Sequence, residues 1–409
     1  MMPRTFSLIA LLMLLSLAAS SQTALAQTAV RGETVHTMAG EPIKDGVVLI
    51  RGGKIEQVGP ASQIRIPADY RVVSAKVVTP GLIDARTVVG LAGYLNQPHD
   101  QDQVETSAPM QPELRAIDSF NAREKLVEWL RSYGVTTIHT GHGPRALISG
   151  QTMIVKTYGE GAASEVISPS AMIAVTLGSA GLGQNGRSPG TRSKAIAMLR
   201  AELLKAQEYE SKWSSAPQDK KPNRELRMET LARVIKGELP LLVNVHRAHD
   251  ILAALRLAKE FNIKMVLDGA SEAYLVVDQI KAAGVPVIIH PTMARAGGES
   301  ENLSMETAGT LLKAGIPVAL QSGFEGYVPK TRVVLFEAGV AAANGLTFSE
   351  ALATVTINAA RILGIASRTG SLEAGKDADV ALFDGDPFEY ASHVTAVIID
   401  GRIVSQDAR

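Results

Sequence analysis

Side chains of the kinds that bind metals, move protons or grip ligands recur at one sort of place in this sequence. His139 with His142, Asn244 with His246, Asp268, His290, and Gln321 with Glu325 each close or follow a short β-branched or apolar run. Neutral imidazole is a good zinc ligand, so His139, His142, His246 and His290 form a candidate zinc set. The spacing argues against it. His139 and His142 are three residues apart, whereas two inward-facing ligands on one strand need a spacing of two. His290 precedes Pro291, which restricts its backbone. No carboxylate is evidently paired with these histidines. The preferred reading is hydrogen-bonded histidines at the wet end of a fold. No cofactor is expected, with zinc as the alternative.

Those runs belong to a repeating pattern. A helical stretch ends in glycine and a strand follows at once: Gly134 before Val135-Thr136-Thr137-Ile138, Gly284 before Val285-Pro286-Val287-Ile288-Ile289, and Gly315 before Ile316-Pro317-Val318-Ala319-Leu320. Glycine just past a helix takes the left-handed turn that ends it, and the apolar strand reads as buried on both faces. Leu241 to Val245 with a helix over 249–261, and Ile263 to Leu267 with a helix over 271–283, add two further units. Such alternation predicts a parallel sheet, and the number of units favours a (β/α)8 barrel. Ligand sites in such a barrel lie at the carboxyl ends of the strands, where the polar residues above fall. They define a candidate pocket.

The two ends of the chain read differently. Residues 27–79 and 366–409 carry short strands with Gly and Asp-Gly turns, among them Asp45-Gly46, Arg51-Gly52-Gly53 and Asp400-Gly401. Neither end is large enough to bury a core alone, so the two are expected to pack as one composite β-sandwich domain beside a barrel over 80–365. Residues 191–236 interrupt the rhythm with two helical faces, one of them marked by Ile196, Leu199, Leu203 and Ala206, and read as an insertion. Its role is not legible.

Residues 1–26 read as a signal peptide: Arg4, an uncharged apolar run from Phe6 to Ala19, and the small-x-small site Ala24-Leu25-Ala26. The chain has no cysteine, which excludes disulfides and thiolate metal sites. Export, with a bacterial periplasm as destination, is the expectation, and no membrane span is expected after cleavage. The 41 basic and 41 acidic residues balance without long blocks, so nucleic acid is not an expected partner.

Several segments together resemble the amidohydrolase superfamily, in its imidazolonepropionase-like and prolidase-like exported branch. They are Val78-Thr79-Pro80-Gly81-Leu82-Ile83-Asp84, the run from Gly370 to Asp379, Asp384-Gly385-Asp386-Pro387, and Thr356-Ile357-Asn358-Ala359-Ala360-Arg361-Ile362-Leu363-Gly364. The resemblance implies metal-dependent hydrolysis of C–N bonds. It implies a His-x-His pair on strand one, histidines on strands five and six, and an aspartate on strand eight. At those positions this chain has Arg86 and Val88, Asn244, Gly269 and Gly323. Valine and glycine cannot ligate, and arginine puts a fixed cation where a cation should bind. In strand five a two-residue slip would substitute His246 for Asn244. Lys156 does not sit in the setting of the carbamylated bridging lysine of some relatives. Arg86 is expected to pair with Glu325, Asp268 or Glu272, or otherwise to hold a ligand carboxylate.

The resemblance therefore implies a homologue with impaired activity, which binds a small-molecule or peptide ligand or partners an intact paralogue. It could form homo-oligomers or hetero-oligomers. The alternatives are an active hydrolase with a relocated histidine site, and a non-catalytic envelope scaffold.

Overall fold

The computed structural model describes residues 27–95, 97–159, 166–183, 186–324 and 333–406. The expected signal peptide and Glu325 lie outside the described residues. Among the described residues, no helix is long and apolar enough to cross a membrane.

The amino-terminal strands are β1 (Thr28–Val35), β2 (Ile43–Arg51), β3 (Lys54–Pro60) and β4 (Arg71–Pro80). The middle of the chain supplies β5 (Leu82–Thr87), β6 (Val135–Thr140), β7 (Ile148–Gln151), β8 (Met153–Lys156), β9 (Val166–Ser168), β10 (Ile173–Thr176), β11 (Leu241–Val245), β12 (Met265–Gly269), β13 (Val287–Ile289) and β14 (Val318–Ala319). The carboxyl end adds β15 (Val380–Phe383), β16 (Val394–Ile399) and β17 (Arg402–Ser405).

The two ends do combine. They form a single seven-stranded sheet in the order β17-β16-β15-β4-β1-β2-β3. The join is β4 against β15, with Val78 opposite Leu382. Side chains alternate across this sheet, as a period of two requires. Val380 and Leu382 face an apolar cluster within the sheet domain, while Ala381 and Phe383 join the large core shared with the barrel helices.

The central part is a TIM-barrel-like α/β arrangement in two sheets, β14-β13-β12-β11-β10-β7 and β5-β6-β8-β9. Neighbours from β10 to β14 are parallel, as are β5 and β6. One position departs from the expected all-parallel pattern. The ribbon 148–156, β7 and β8 with Thr152 between them, runs antiparallel to β6 on one side and to β10 on the other. No helix precedes it, so the chain doubles back by a short turn, which only antiparallel pairing permits. Between β14 and β5 the link consists of isolated bonds: Ala85 N–H to Leu320 O (3.3 Å), Gly323 N–H to Arg86 O (3.1 Å) and a Thr87–Gly323 bridge.

Gly134, Gly284 and Gly315 all adopt positive φ, as the helix-ending pattern predicts. The expected helix over 271–283 is shorter. A 3-10 turn at Ala273–Leu275 precedes the α-helix Val277–Ala283. The interrupting segment forms the helices Arg192–Ser215 and Leu226–Ile235, with Leu199, Leu203 and Ala206 buried.

Lys156, at the end of β8, ties the barrel to the sheet domain. Its ammonium contacts Asp377 (2.9 Å), Asp379 (2.9 Å) and Asp400 (2.6 Å), and its side chain is 1% exposed. Asp377 also pairs with Lys54 (2.5 Å) and Arg368 (2.9 Å). Replacing Lys156 with methionine would leave buried carboxylates uncompensated, a change that costs about 3–5 kcal/mol. Urea unfolding of Lys156→Met should show a loss of that order. A loss below about 1 kcal/mol, the scale of an exposed pair, would refute a binding role for this contact.

Candidate functional site

The inner faces of β5, β8, β11, β12, β13 and β14 contribute one apolar layer: Ile83 and Ala85, Ile154, Leu242, Val266, Ile288 and Ala319. Two residues further along, the same faces of the later strands present Asn244, Asp268, His290 and Gln321. The fold thus brings together the candidate residues of β11 to β14, just above the inner core.

Asp268 is the hub of that group. Its Oδ2 accepts from Asn244 Nδ2 (3.0 Å) and its Oδ1 from Gln321 Nε2 (2.7 Å). Gln321 Nε2 also donates to Ile289 O (2.9 Å). His246 bonds Ser271 Oγ through Nδ1 (2.8 Å). His290 Nδ1 donates to Pro291 O (2.9 Å), and its buried Nε2 faces the Ser304 backbone without a hydrogen bond of normal geometry.

Arg86, His139 and His142 form a second group, at the ends of β5 and β6. The Arg86 side chain is buried, the residue being 4% exposed. Its Nη1 donates to the carbonyls of Thr87 and Gly141, and its Nη2 to the carbonyl of His142. This corrects the expected pairing. Glu272 is taken by Arg247 Nη1 (3.0 Å) and by Asn302 (2.8 Å), and Asp268 by Asn244 and Gln321. No ion pair joins Arg86 to a described carboxylate. Burial works against its charge, and the fields of Asp268 and Asp84 work for it.

His139 is fully buried. Its Nδ1–H donates to Ala85 O (2.8 Å), so Nε2 accepts from the Thr152 hydroxyl (2.6 Å). Burial, with Arg86 nearby, pushes its pKa down to about 3, so the ring is neutral. Burial also lowers His142, His246 and His290. His142 Nδ1 is buried with no hydrogen-bond partner. Among the described residues, no three His, Asp or Glu side chains are grouped so as to hold a metal ion.

Val88 is fully buried. Gly269 has φ +81°, and a Cβ there would fall 2.7 Å from His246 Cε1. Gly323 has φ +75°, and a Cβ there would fall 2.6 Å from Pro291 Cγ. Phe324 packs onto the Gly143 backbone, where a Cβ would come within 2.8 Å of its ring.

Asp84 was not among the candidates, although it lies in the Pro-Gly-Leu-Ile-Asp segment. It is fully buried. It accepts from Ser322 Oγ (2.5 Å), from Ser322 N–H (3.0 Å) and from Arg86 N–H (3.2 Å). Burial raises its pKa to about 7 despite those bonds. Its position two residues before Arg86, on a strand with no other acid, was the available signal.

A model of the amidohydrolase family matches residues 91–405 of this chain. The chain belongs to the amidohydrolase family. An imidazolonepropionase of Solibacter usitatus is 24% identical over 85% of this chain and 86% of its own length. The amidohydrolase tasK of Hapsidospora irregularis is 24% identical over 90% of this chain, which spans only 42% of that protein. The crystal structure of an amidohydrolase from Thermotoga maritima MSB8 matches with a TM-score of 0.88 at 29% identity, covering 93% of this chain and 100% of that one. A prolidase complexed with N-methylphosphonate-L-proline matches at a TM-score of 0.58 and 16% identity, a likeness of fold alone. This amidohydrolase therefore lies in the imidazolonepropionase-like branch, with C–N hydrolase ancestry.

Two outcomes follow from this geometry. Gly323→Asp combines positive φ with a clash against Pro291 and should destabilise the fold by on the order of 2–4 kcal/mol. Thermal melts at neutral pH test it, and a melting temperature equal to wild type would contradict the packing described. Asp84 gives a pH signature. An acid whose pKa is raised in the fold holds its proton more tightly there, so its contribution falls as pH rises from about 4 through about 7. Relative to Asp84→Asn, the wild type should lose up to about 4 kcal/mol over that window. A pH-independent difference between the two proteins would mean that Asp84 does not titrate in this range.

Proposed function

We propose that this amidohydrolase has lost the divalent-metal site of its family and acts by binding or partnership, with little or no hydrolysis. The observation that carries the reading is Arg86. Its guanidinium occupies the first strand-one ligand position and spends its donors on three backbone carbonyls. A divalent cation placed there would meet a fixed positive charge.

The other positions support the same reading. Val88 has no donor atom. The Gly269 side is filled by His246 and the Gly323 side by Pro291, so neither has space for a returning ligand. The residues present do not fit the metal. The relocated-site alternative finds little support, because both ring nitrogens of His139 are already engaged.

The ligand in this reading is a small molecule or peptide that enters beside Asn244 and His246, which are the partly exposed members of the site. An intact paralogue, or a second copy of the chain, is the proposed partner. The signal-type amino terminus and the absence of cysteine favour the bacterial periplasm as its place.

The test is the metal content of the mature protein, purified without chelator or metal-binding tag and then incubated with excess zinc. Well below one equivalent is expected. About one or two equivalents, the occupancy of a true hydrolase site, would overturn the proposal. The double variant Arg86→His with Val88→His should also fail to acquire zinc or amidase turnover, because Gly269 and Gly323 remain blocked.

A further inference from the structure

The carboxyl ends of β5 and β6 present carbonyls that have run out of ladder. Thr87 opposite Thr140 is the last pair. Beyond it, the carbonyls of Gly141 and His142 turn inward toward Arg86. A buried carbonyl without a donor is costly, and so is a buried guanidinium without acceptors. Here each satisfies the other. The planar guanidinium reaches three carbonyls on two elements at once, which a single ammonium cannot do with the same geometry.

A third element hangs on the same residue through its backbone. Gly323 N–H donates to Arg86 O (3.1 Å), and Ser322 is held by Asp84, two residues before it. Phe324 then lies across Gly143, next to the clamped His142 carbonyl. Burial works against the charge of Arg86, and the fields of Asp268 and Asp84 partly offset it; burial, and secondly Arg86, lowers the pKa of His139 and His142.

We propose that Arg86 is a built-in structural cation, whose guanidinium holds the ends of β5 and β6 together without a bound metal, while its backbone carbonyl carries the segment after β14. The proposal rests on the metal-free reading above. It adds that the β5–β6 side of the barrel mouth is closed by this clamp, while Asn244 and His246 at the end of β11 are the partly exposed members among the described site residues.

The experiment is amide hydrogen exchange on the mature full chain. In Arg86→Met, exchange at 139–143 should speed up about tenfold or more, while amides of β2 in the sheet domain keep their wild-type rates. Unchanged exchange at 139–143 would overturn the clamp. Should Arg86→Met not fold, Arg86→Lys keeps the charge and tests the fork. Protection between wild type and unfolded supports the clamp, and protection equal to wild type overturns it. In Arg86→Ala, added guanidinium ion should restore protection where methylammonium does not, and equal effects of the two would count against a fork-shaped site. Zinc uptake separates this proposal from the one beneath it. A wild-type protein that binds one equivalent of zinc sinks the metal-free reading. A zinc-free wild type whose mouth exchanges no faster in Arg86→Met sinks the clamp alone.

Discussion

One ammonium group fixes how the two halves of this molecule meet. Lys156 sits on β8 beside Thr137 of β6, and its charge is shared by Asp377, Asp379 and Asp400 of the sheet domain. Burial would lower its pKa, but the three carboxylates outweigh that and raise it. Burial alone would raise Asp377. Lys54, Lys156 and Arg368 instead hold it down to about 2. The cluster is balanced, with Lys54, Lys156 and Arg368 against three aspartates. Desolvation makes such a cluster a poor source of net stability compared with apolar packing, so its value here is positional. A displaced sheet domain would strand buried charges, and no intermediate placement satisfies them.

The same ribbon passes that constraint to the mouth. Thr152 lies four residues before Lys156, at the kink between β7 and β8, and holds the Nε2 of His139. His139 in turn holds Ala85 of β5 through its other nitrogen. Ala85 N–H bonds Leu320 O, which reaches the last strand. A chain of specific bonds thus runs from the domain interface across β8, β6 and β5 to β14. In that chain His139 is a neutral spacer with both nitrogens committed. Its low pKa follows from burial and from the cation beside it, and does not mark a proton-transfer role.

Much of the fold was legible because it follows from local rules. Glycines that end helices, apolar runs buried on both faces, and hairpin turns at the two ends each have a short-range physical cause. The antiparallel ribbon was not legible. Met153 to Val155 has the same apolar texture as a parallel strand, and only the missing helix before the ribbon carries the direction. Arg86 shows the limit most clearly. Its position was legible from the Pro-Gly-Leu-Ile-Asp segment, and so was the need for a partner. A sequence shows side-chain acceptors and hides backbone ones, so reasoning went to Glu325, Asp268 and Glu272. The acceptors are carbonyls of Thr87, Gly141 and His142. The setting of Lys156 was not legible either, because its three aspartates lie more than two hundred residues away in sequence. No local pattern connects them.

Arg86, Gly269 and Gly323 make more sense as a set than one by one. A glycine in a strand end costs conformational entropy and leaves a hole, unless something moves in. At Gly269 the ring of His246 fills the space, and at Gly323 the ring of Pro291 does. Both glycines also sit at positive φ, where an ordinary residue is strained. Placing a larger side chain at either glycine therefore requires a second change to clear its volume and a third to relax its backbone. These costs fall on residues in direct contact, so they do not add independently. Arg86 closes the set. Its charge has no exit except by breaking three carbonyl contacts, and Asp268 is already held by Asn244 and Gln321 to face it. The mouth of this barrel is thus a well-packed arrangement in its own right, in which Gly269 is matched by His246, Gly323 by Pro291 and Arg86 by three carbonyls.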